Sequence, residues 1–367
     1  MIYFKLVKFI TCFFSLYSMK RCPHLRIVPK QAQEAQNILI SIQALDKRFK
    51  VQKSKDYIYF PLSKKKISEV KSKIDWAKVV AKNAIENSQK VKRLKELLSK
   101  KLSANEQKSI FSSYDLVGDI AILDIPIDLK HKQSLIANEI LNSNKKIKTI
   151  AIKTSATKGK YRIRKIKPIA GKKTTKTICV ESGCKFVVDL NKTYYTNRFS
   201  QDRLNIASQI KCDENILVLF SGICPYPIVI EKHANPKSIV AIELNPKAHE
   251  LAIENIKLNK CTKITAINND VSKVLNKKYN DYADRILMPH PSASLDFLSY
   301  ALRSAKHNAI IHLYVFIDSN DWSKQFLISE KIAQKENCKL ELLNVSTVRP
   351  FSKSKSQVRF DIKVIKR

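Results

Sequence analysis

Three short stretches hold residues whose types and spacing could do chemistry. Phe220, Ser221, Gly222, Ile223, Cys224 and Pro225 follow an apolar run that begins at Asn215. Glu243 ends a second apolar run, and Asp270 follows a third. If these runs are neighbouring strands of a parallel sheet, all three stretches lie at strand carboxyl ends, where open α/β sheets bind ligands. A carboxylate at such a position can accept both hydroxyls of a ribose. With the glycine turn, that suits either a nicotinamide dinucleotide or S-adenosylmethionine. The dinucleotide fingerprint needs three glycines so that the backbone can approach a pyrophosphate. Only Gly222 is present in this turn, which favours adenosylmethionine, a ligand without phosphate. The plainer reading of Glu243 is a strand-end carboxylate.

The elements that must hold these residues alternate regularly. Strands are expected at 215–220, 238–243, 264–268, 285–288 and 309–316, with helices at 202–210, 228–233, 246–258, 293–304 and 322–336 between or after them. Late strands are expected at 340–349 and 356–365. Asn245 before Pro246 reads as a helix cap followed by a first-turn proline. This alternation predicts a mostly parallel sheet. Upstream, residues 24–63 read as a small βαββ module. A lysine-rich stretch follows, helical around 81–98. A second α/β region has strands at 116–126, 147–153, 177–181 and 184–189 and a helix at 135–141. The alternation at 161–169 sets Arg162 and Arg164 on one face of a further strand. The expected division is 20–66, a small first domain; 67–110, a basic helical linker; 111–190, a middle α/β domain; and 191–367, the parallel-sheet domain.

Composition narrows the function. The 367 residues carry 68 Lys+Arg against 32 Asp+Glu, a formal net charge of +36. Such an excess self-repels, and a polyanion would offset it. Nucleic acid is therefore the expected partner, against the alternative of a general lysine bias. The eight cysteines include no Cys-x-x-Cys pair, so neither a zinc site nor a metal cofactor is expected. Free thiols in a reducing cytoplasm fit better than disulfides. Met1 to Tyr17 is apolar but lysine-dotted, too short uninterrupted for a membrane span, and Met19 is an alternative start. No membrane association is expected.

Several blocks in order carry a resemblance. These are LVGDIAILDIP from Leu116, GKYRIRKIKPIAG from Gly159, ESGCKFVVDL from Glu181, YYTNRFSQDRLNIASQI from Tyr194, LFSGICPYPIVI from Leu219 and AIELNPKAHELAIENIKLN from Ala241. Together they resemble the archaeal and eukaryotic tRNA (guanine-37) N1-methyltransferase family, the Trm-five type in its longer archaeal form. The sister family is the aminocarboxypropyl transferases of wybutosine synthesis. The resemblance runs from about His24 to the carboxyl terminus. It implies a class I (Rossmann-like) S-adenosylmethionine-dependent methyltransferase domain preceded by two smaller α/β domains. It also implies a monomer that methylates N1 of guanosine 37 in tRNA.

Residue by residue, the resemblance places the cofactor against Phe220, Ser221, Gly222, Tyr226, Glu243, Leu244, Asp270, Val271 and Pro291. Asp202, where the family has glutamate, becomes the general base, and Arg162 stabilises charge on guanine O6. Arg162, Arg164, Arg198, Arg203, Pro289 and His290 face the tRNA. A solvated basic face is the alternative for each arginine. Three positions depart from the family pattern. Val218 replaces an aspartate, Cys224 a loop glycine, and Pro289 the asparagine of the Asn-Leu-Pro motif. The last loses a side-chain hydrogen bond. Aminocarboxypropyl transfer on the same position, or a catalytically weak tRNA-binding relative, are the competing readings.

Overall fold

The computed structural model describes residues 21–46, 48–85, 94–99, 101–110, 114–155, 161, 163–276, 278–318, 321–350 and 354–367. The chain divides at Arg93/Leu94 into two compact units.

The first unit is an antiparallel sheet of β1 (Arg21–Ile27), β2 (Gln52–Lys53), β3 (Ile58–Pro61) and β4 (Lys78–Asn83), in the order β2-β3-β1-β4. Helices α1 (Ala32–Ser41) and α2 (Ile67–Lys73) complete a core of Leu25, Ile27, Ala35, Leu39, Phe60, Val70 and Ile74. The expected linker at 67–110 is corrected in its first half. Residues 78–83 are a strand paired with β1 from Arg21↔Asn83 to Arg26↔Lys78, not the start of a helix. Val79 and Val80 are β-branched, and a free sheet edge rewards extension where an isolated lysine-rich helix would have nothing to pack on.

The second unit opens with two short helices, α3 (Leu94–Leu98) and α4 (Ala104–Lys108), the latter closed by a Ser103–Glu106 capping box. A four-stranded sheet follows: β5 (Asp115–Val117), β6 (Ile120–Leu123), β7 (Thr149–Lys153) and β8 (Ile166–Gly171), in chain order, with α5 (Gln133–Ser143) on one face. The strand expected from Tyr161 starts at Ile166. Arg164 precedes it and is exposed, and Arg162 lies outside the described residues. Next comes the hairpin β9 (Lys176–Glu181) and β10 (Cys184–Asp189).

The large sheet has β11 (Asn215–Leu219), β12 (Ser238–Glu243), β13 (Ile264–Asn268), β14 (Ala283–Met288), β15 (Ala305–Asp318), β16 (Cys338–Pro350) and β17 (Lys355–Lys366). Its order is β13-β12-β11-β14-β15-β17-β16, parallel up to β15 and antiparallel beyond it. Helices α6 (Ser200–Ala207), α7 (Pro225–His233), α8 (Pro246–Leu258), α9 (Val271–Leu275), α10 (Leu298–Ser304) and α11 (Ser323–Lys335) accompany it. The order reverses between β11 and β14, and that switch point is where this architecture takes a ligand.

The expected break at 190/191 does not separate two cores. Along β9 side chains alternate, so Thr177, Cys179 and Glu181 turn inward while Ile178 and Val180 face out. Cys179, Cys184, Phe186 and Val187 thereby share one core with Ile216, Val218, Ile228 and Leu251. Two buried asparagines fasten the hairpin to α8. Asn255 Oδ1 accepts from Val187 N (2.7 Å), and its amide donates to Val187 O and to Ile223 O. Asn259 Oδ1 accepts from Lys185 N (2.8 Å), and its amide donates to Lys185 O. Four helical residues rise about 6 Å and two strand residues about 6.6 Å, so an Asn-x-x-x-Asn helix face can stand in for a missing neighbour strand.

Replacing Asn255 with alanine leaves three buried backbone groups without partners. At about 1–3 kcal/mol each before relaxation, urea unfolding should register a loss of about 2–4 kcal/mol. A change below about 0.5 kcal/mol would show that the asparagine link is dispensable.

Candidate active site

At the carboxyl ends of β11, β12, β13 and β14 lies a cavity of about 260 Å³. Three residues of the loop after β11 have left-handed backbone: Phe220 (φ 55°), Gly222 (57°) and Cys224 (62°). A side chain added at Gly222 would meet only Tyr194 O, at 4.0 Å, so the missing Cβ leaves the cavity open there. Cys224 takes the left-handed conformation that favours glycine, at a strain of about 1–2 kcal/mol. It is fully buried as the N-cap of α7, and burial pushes its thiol up to about 12.

Glu243 fixes this loop to the next. Its Oε2 accepts from Gly222 N (2.7 Å) and its Oε1 from Asn245 N (2.7 Å). Burial pushes the carboxyl up from its ordinary value, and the backbone donors of Asn245, Gly222 and Leu244 oppose that. Asn245 caps α8 as expected, accepting from Lys247 N, and its amide donates to Lys192 O. Asp270 caps α9, accepting from Ser272 N and Ser272 Oγ. In the loop after β14, Ser294 Oγ donates to Met288 O (2.7 Å), and the His290 ring lies 5.2 Å from that of Phe220. Phe297 meets Phe220 edge to face at the same distance.

Of the expected cofactor residues, Phe220, Gly222, Glu243, Leu244, Asp270, Val271 and Pro291 line the cavity, as do Pro289 and His290 from the substrate set. Ser221 and Tyr226 do not. Ser221 N is turned back to Ile242 O, and the Tyr226 ring is buried on the first turn of α7 with its hydroxyl on Asp202. Arg203 is corrected from a tRNA contact to an internal ion pair. It is 2% exposed, with Nη1 on both oxygens of Glu181 (2.5 and 2.7 Å) and Nη2 on Thr196 O. Its place on α6 points it at β9 rather than at solvent. Arg198 is exposed and paired with Asp115. Val218 is fully buried in β11, so this position supplies no polar contact.

Asp202 is not on the cavity wall. Its Oδ2 accepts from the Tyr226 hydroxyl (2.6 Å) and the Tyr314 hydroxyl, and its Oδ1 from Arg359 Nη1. Burial pushes both tyrosines well above their ordinary range. Arg359, 1% exposed, also donates to both oxygens of Asp361, at 2.7 and 3.0 Å. Asp361 accepts from His312 Nδ1 (2.6 Å), and Arg285 Nη1 donates to His312 Nε2 (2.8 Å). An arginine can only donate, so the His312 proton is on Nδ1 and the ring is neutral. Arg285 ends the chain on Glu214. Sequence reasoning missed this chain, and it missed Tyr161, Tyr194, Phe199, Phe297, Phe316, Arg349 and Gln357 on the cavity wall. Tyr194 and Phe199 fall within a quoted block, but Arg349 and Gln357 lie on late strands with no motif.

Among the described residues no group of three His, Cys, Asp or Glu side chains could hold a metal ion, and no helix is long and apolar enough to cross a membrane.

Residues 177–341 match the TRM5/TYW2 methyltransferase domain, residues 94–174 the TYW2 N-terminal domain, and residues 25–69 the tRNA methyltransferase 5 N-terminal domain. The chain is 27% identical over 338 residues to the tRNA (guanine(37)-N(1))-methyltransferase Trm5b of Pyrococcus abyssi, covering 91% of this chain and 97% of that one. It is 32% identical over 216 residues to the tRNA 4-demethylwyosine(37)-methyltransferase Taw21 of Saccharolobus solfataricus, covering 59% and 82%. The structure of a complex of aTrm5 and tRNALeu superposes with a TM-score of 0.66 at 29% identity, covering 93% and 99%.

Two outcomes follow from the electrostatics. Glu243→Ala should weaken S-adenosylhomocysteine binding by about 1–3 kcal/mol in calorimetry, and unchanged affinity would make the carboxylate purely structural. Burial lowers the His312 pKa in the folded chain, against partial opposition from Asp361. Below the unfolded value near 6.5 the unfolded chain therefore binds a proton that the folded chain refuses. Stability should fall as pH drops through that value, by up to about 1.4 kcal/mol per pH unit. Urea midpoints of His312→Gln should lack this component between about pH 7 and 5; an identical slope in both proteins would locate the titration elsewhere.

Proposed function

Because the chain belongs to the TRM5/TYW2 methyltransferase family, whose cofactor is S-adenosylmethionine, we propose that it methylates N1 of guanosine 37 in tRNA. The observation that carries this is one cavity lined by Glu243 and Gly222 together with Tyr161, Tyr194 and Phe199. Glu243 would hold the ribose hydroxyls and Asp270 with Val271 the adenine. When bound, adenosylmethionine supplies an electrophilic methyl group. The aromatic side chains suit an unstacked purine, since enzymes that act on a base must take it out of its stack. The net charge of +36 supports a whole tRNA held partly through phosphates. We take the chain to act as a monomer in the cytoplasm.

Guanine N1 carries a proton that must leave as the methyl group arrives. Asp202 is our acceptor. Both its oxygens are engaged by Tyr226, Tyr314 and Arg359, so the incoming base has to displace a tyrosine hydroxyl before the carboxylate can take the proton. Tyr226 is the better candidate to yield, because Tyr314 sits mid-strand in β15. Arg162, the residue expected to stabilise O6, lies outside the described residues.

A second reading is methylation of a 4-demethylwyosine at the same position. Two observations favour it: the 32% identity to a 4-demethylwyosine methyltransferase, and Pro289 on the cavity wall, where a proline gives the base no side-chain donor. Methyl-labelled and aminocarboxypropyl-labelled cofactor supplied to tRNA with guanosine or 4-demethylwyosine at position 37 separates these readings by nucleoside mass spectrometry. Labelled 1-methylguanosine from the guanosine transcript is expected. Label arriving only in the tricyclic base, or only from the aminocarboxypropyl group, would replace the proposal. Asp202→Asn should lower turnover about 10²–10⁴-fold with binding retained; parent-like turnover would remove Asp202 as the base.

A further inference from the structure

Arg349 lies near the end of β16, beyond residue 341 where the match to the methyltransferase family ends. It lines the cavity. Its Nε donates to Gln357 Oε1 at 3.2 Å, across the strand register that pairs the two residues. Gln357 is 1% exposed and so cannot swing away. The guanidinium carbon stands 5.1 Å from the centre of the Phe199 ring, itself packed at the start of α6. A long cationic side chain is thus held between a buried amide and a buried ring, and its ordering cost is met before any ligand arrives.

The sheet order says which ligand it meets. Glu243 and Asp270 follow β12 and β13, at one edge, and Arg349 is on β16, the other edge. Four strands, β11, β14, β15 and β17, stand between β12 and β16. A cofactor anchored by its ribose at Glu243 occupies the β11–β13 side of the switch point. Arg349 serves the opposite side, against Phe199. Tyr161 and Tyr194, also on the cavity wall, are 42% and 47% exposed, available for a base to stack on.

Resting on the reaction proposed above, we infer that Arg349 reads the O6 edge of the acceptor purine. A planar guanidinium matches the paired O6 and N7 acceptors of guanine. As N1 loses its proton, negative charge spreads onto O6, and a fixed cation there stabilises the developing charge without reorganising. The competing assignment for a cation in this cavity is the carboxylate of the cofactor's methionine.

The test compares binding of two tRNA transcripts, with guanosine or 2-aminopurine at position 37, in the presence of S-adenosylhomocysteine. 2-Aminopurine keeps the ring and the 2-amino group but lacks O6. The parent chain should prefer guanosine by about 5- to 150-fold. Arg349→Met should bind both alike, with S-adenosylhomocysteine affinity and melting temperature near the parent's. Its methylation rate should reach its plateau at a pH higher by about one unit or more, the scale of losing a nearby opposite charge. Arg349→Lys keeps the charge and loses the planar fork, so it should recover the pH midpoint and not the base preference. Equal binding of both transcripts by the parent, or a parent-like preference in Arg349→Met, overturns the assignment. So does a loss of S-adenosylhomocysteine affinity as large as the loss of tRNA affinity, which would give Arg349 to the methionine carboxylate. Failure of the parent to make 1-methylguanosine sinks the reaction instead, and the binding preference still tests Arg349.

Discussion

The Glu243 carboxylate, bound to the backbone of Gly222 on one side and Asn245 on the other, is the contact from which the site is built. A carboxylate pulled from water at a strand end must be compensated, and here both donors are main-chain N–H groups of the loops that form the cavity floor. The first donor fixes a loop carrying three left-handed residues. The second sets the start of α8, which Asn245 then caps. From that start α8 runs so that Asn255 reaches the same loop at Ile223 O and, with Asn259, grips the hairpin β9–β10. One half-buried carboxylate therefore links the loop after β11 to the start of α8, and α8 in turn holds the neighbouring hairpin.

A second buried polar system runs beneath the other half of the sheet. Asp202, Arg359, Asp361, neutral His312, Arg285 and Glu214 alternate in donor and acceptor character from α6 through β17, β15 and β14. Three carboxylates face two guanidinium groups, so the interior here is anionic while the chain as a whole carries +36. Such a chain is costly to desolvate and rigid once complete, because removing any member leaves its neighbour buried and unpaired. It gives Asp202 a fixed position, three residues after the cavity-lining Phe199, and also explains why its oxygens are already engaged.

The departures at Val218, Cys224 and Pro289 alter this frame locally. Val218 belongs wholly to the core, so the polar contact an aspartate would offer is absent rather than relocated. Cys224 shows that a left-handed turn survives without glycine when burial and the capping position of α7 over-determine it. Pro289 sits in a loop whose shape comes from Ser294 bridging Met288 O and His290 O, so losing an asparagine changes the cavity's chemistry more than its form.

The alternation of apolar runs determined the parallel sheet, because burial on both faces leaves little freedom in how such runs read. It also exposed the strand-end carboxylates, since position at a strand end is a local property. Pro246 after Asn245 announced α8 to the residue. What the sequence could not decide was which neighbour each polar side chain would find. Arg203 and Arg198 look alike in one basic block, yet one is buried on Glu181 and the other exposed beside Asp115, because a turn of helix separates inside from outside. Residues 81–83 read as the start of a helix until β1 offers them an edge. Arg349, Gln357 and Arg359 carry no motif, and only the antiparallel return of β17 beside β15 and β16 brings them to Asp202 and the cavity, across more than a hundred residues of chain. Local spacing fixes periodicity and caps; long-range pairing is set by which surfaces meet when the sheet closes its order, and that is a property of the fold alone.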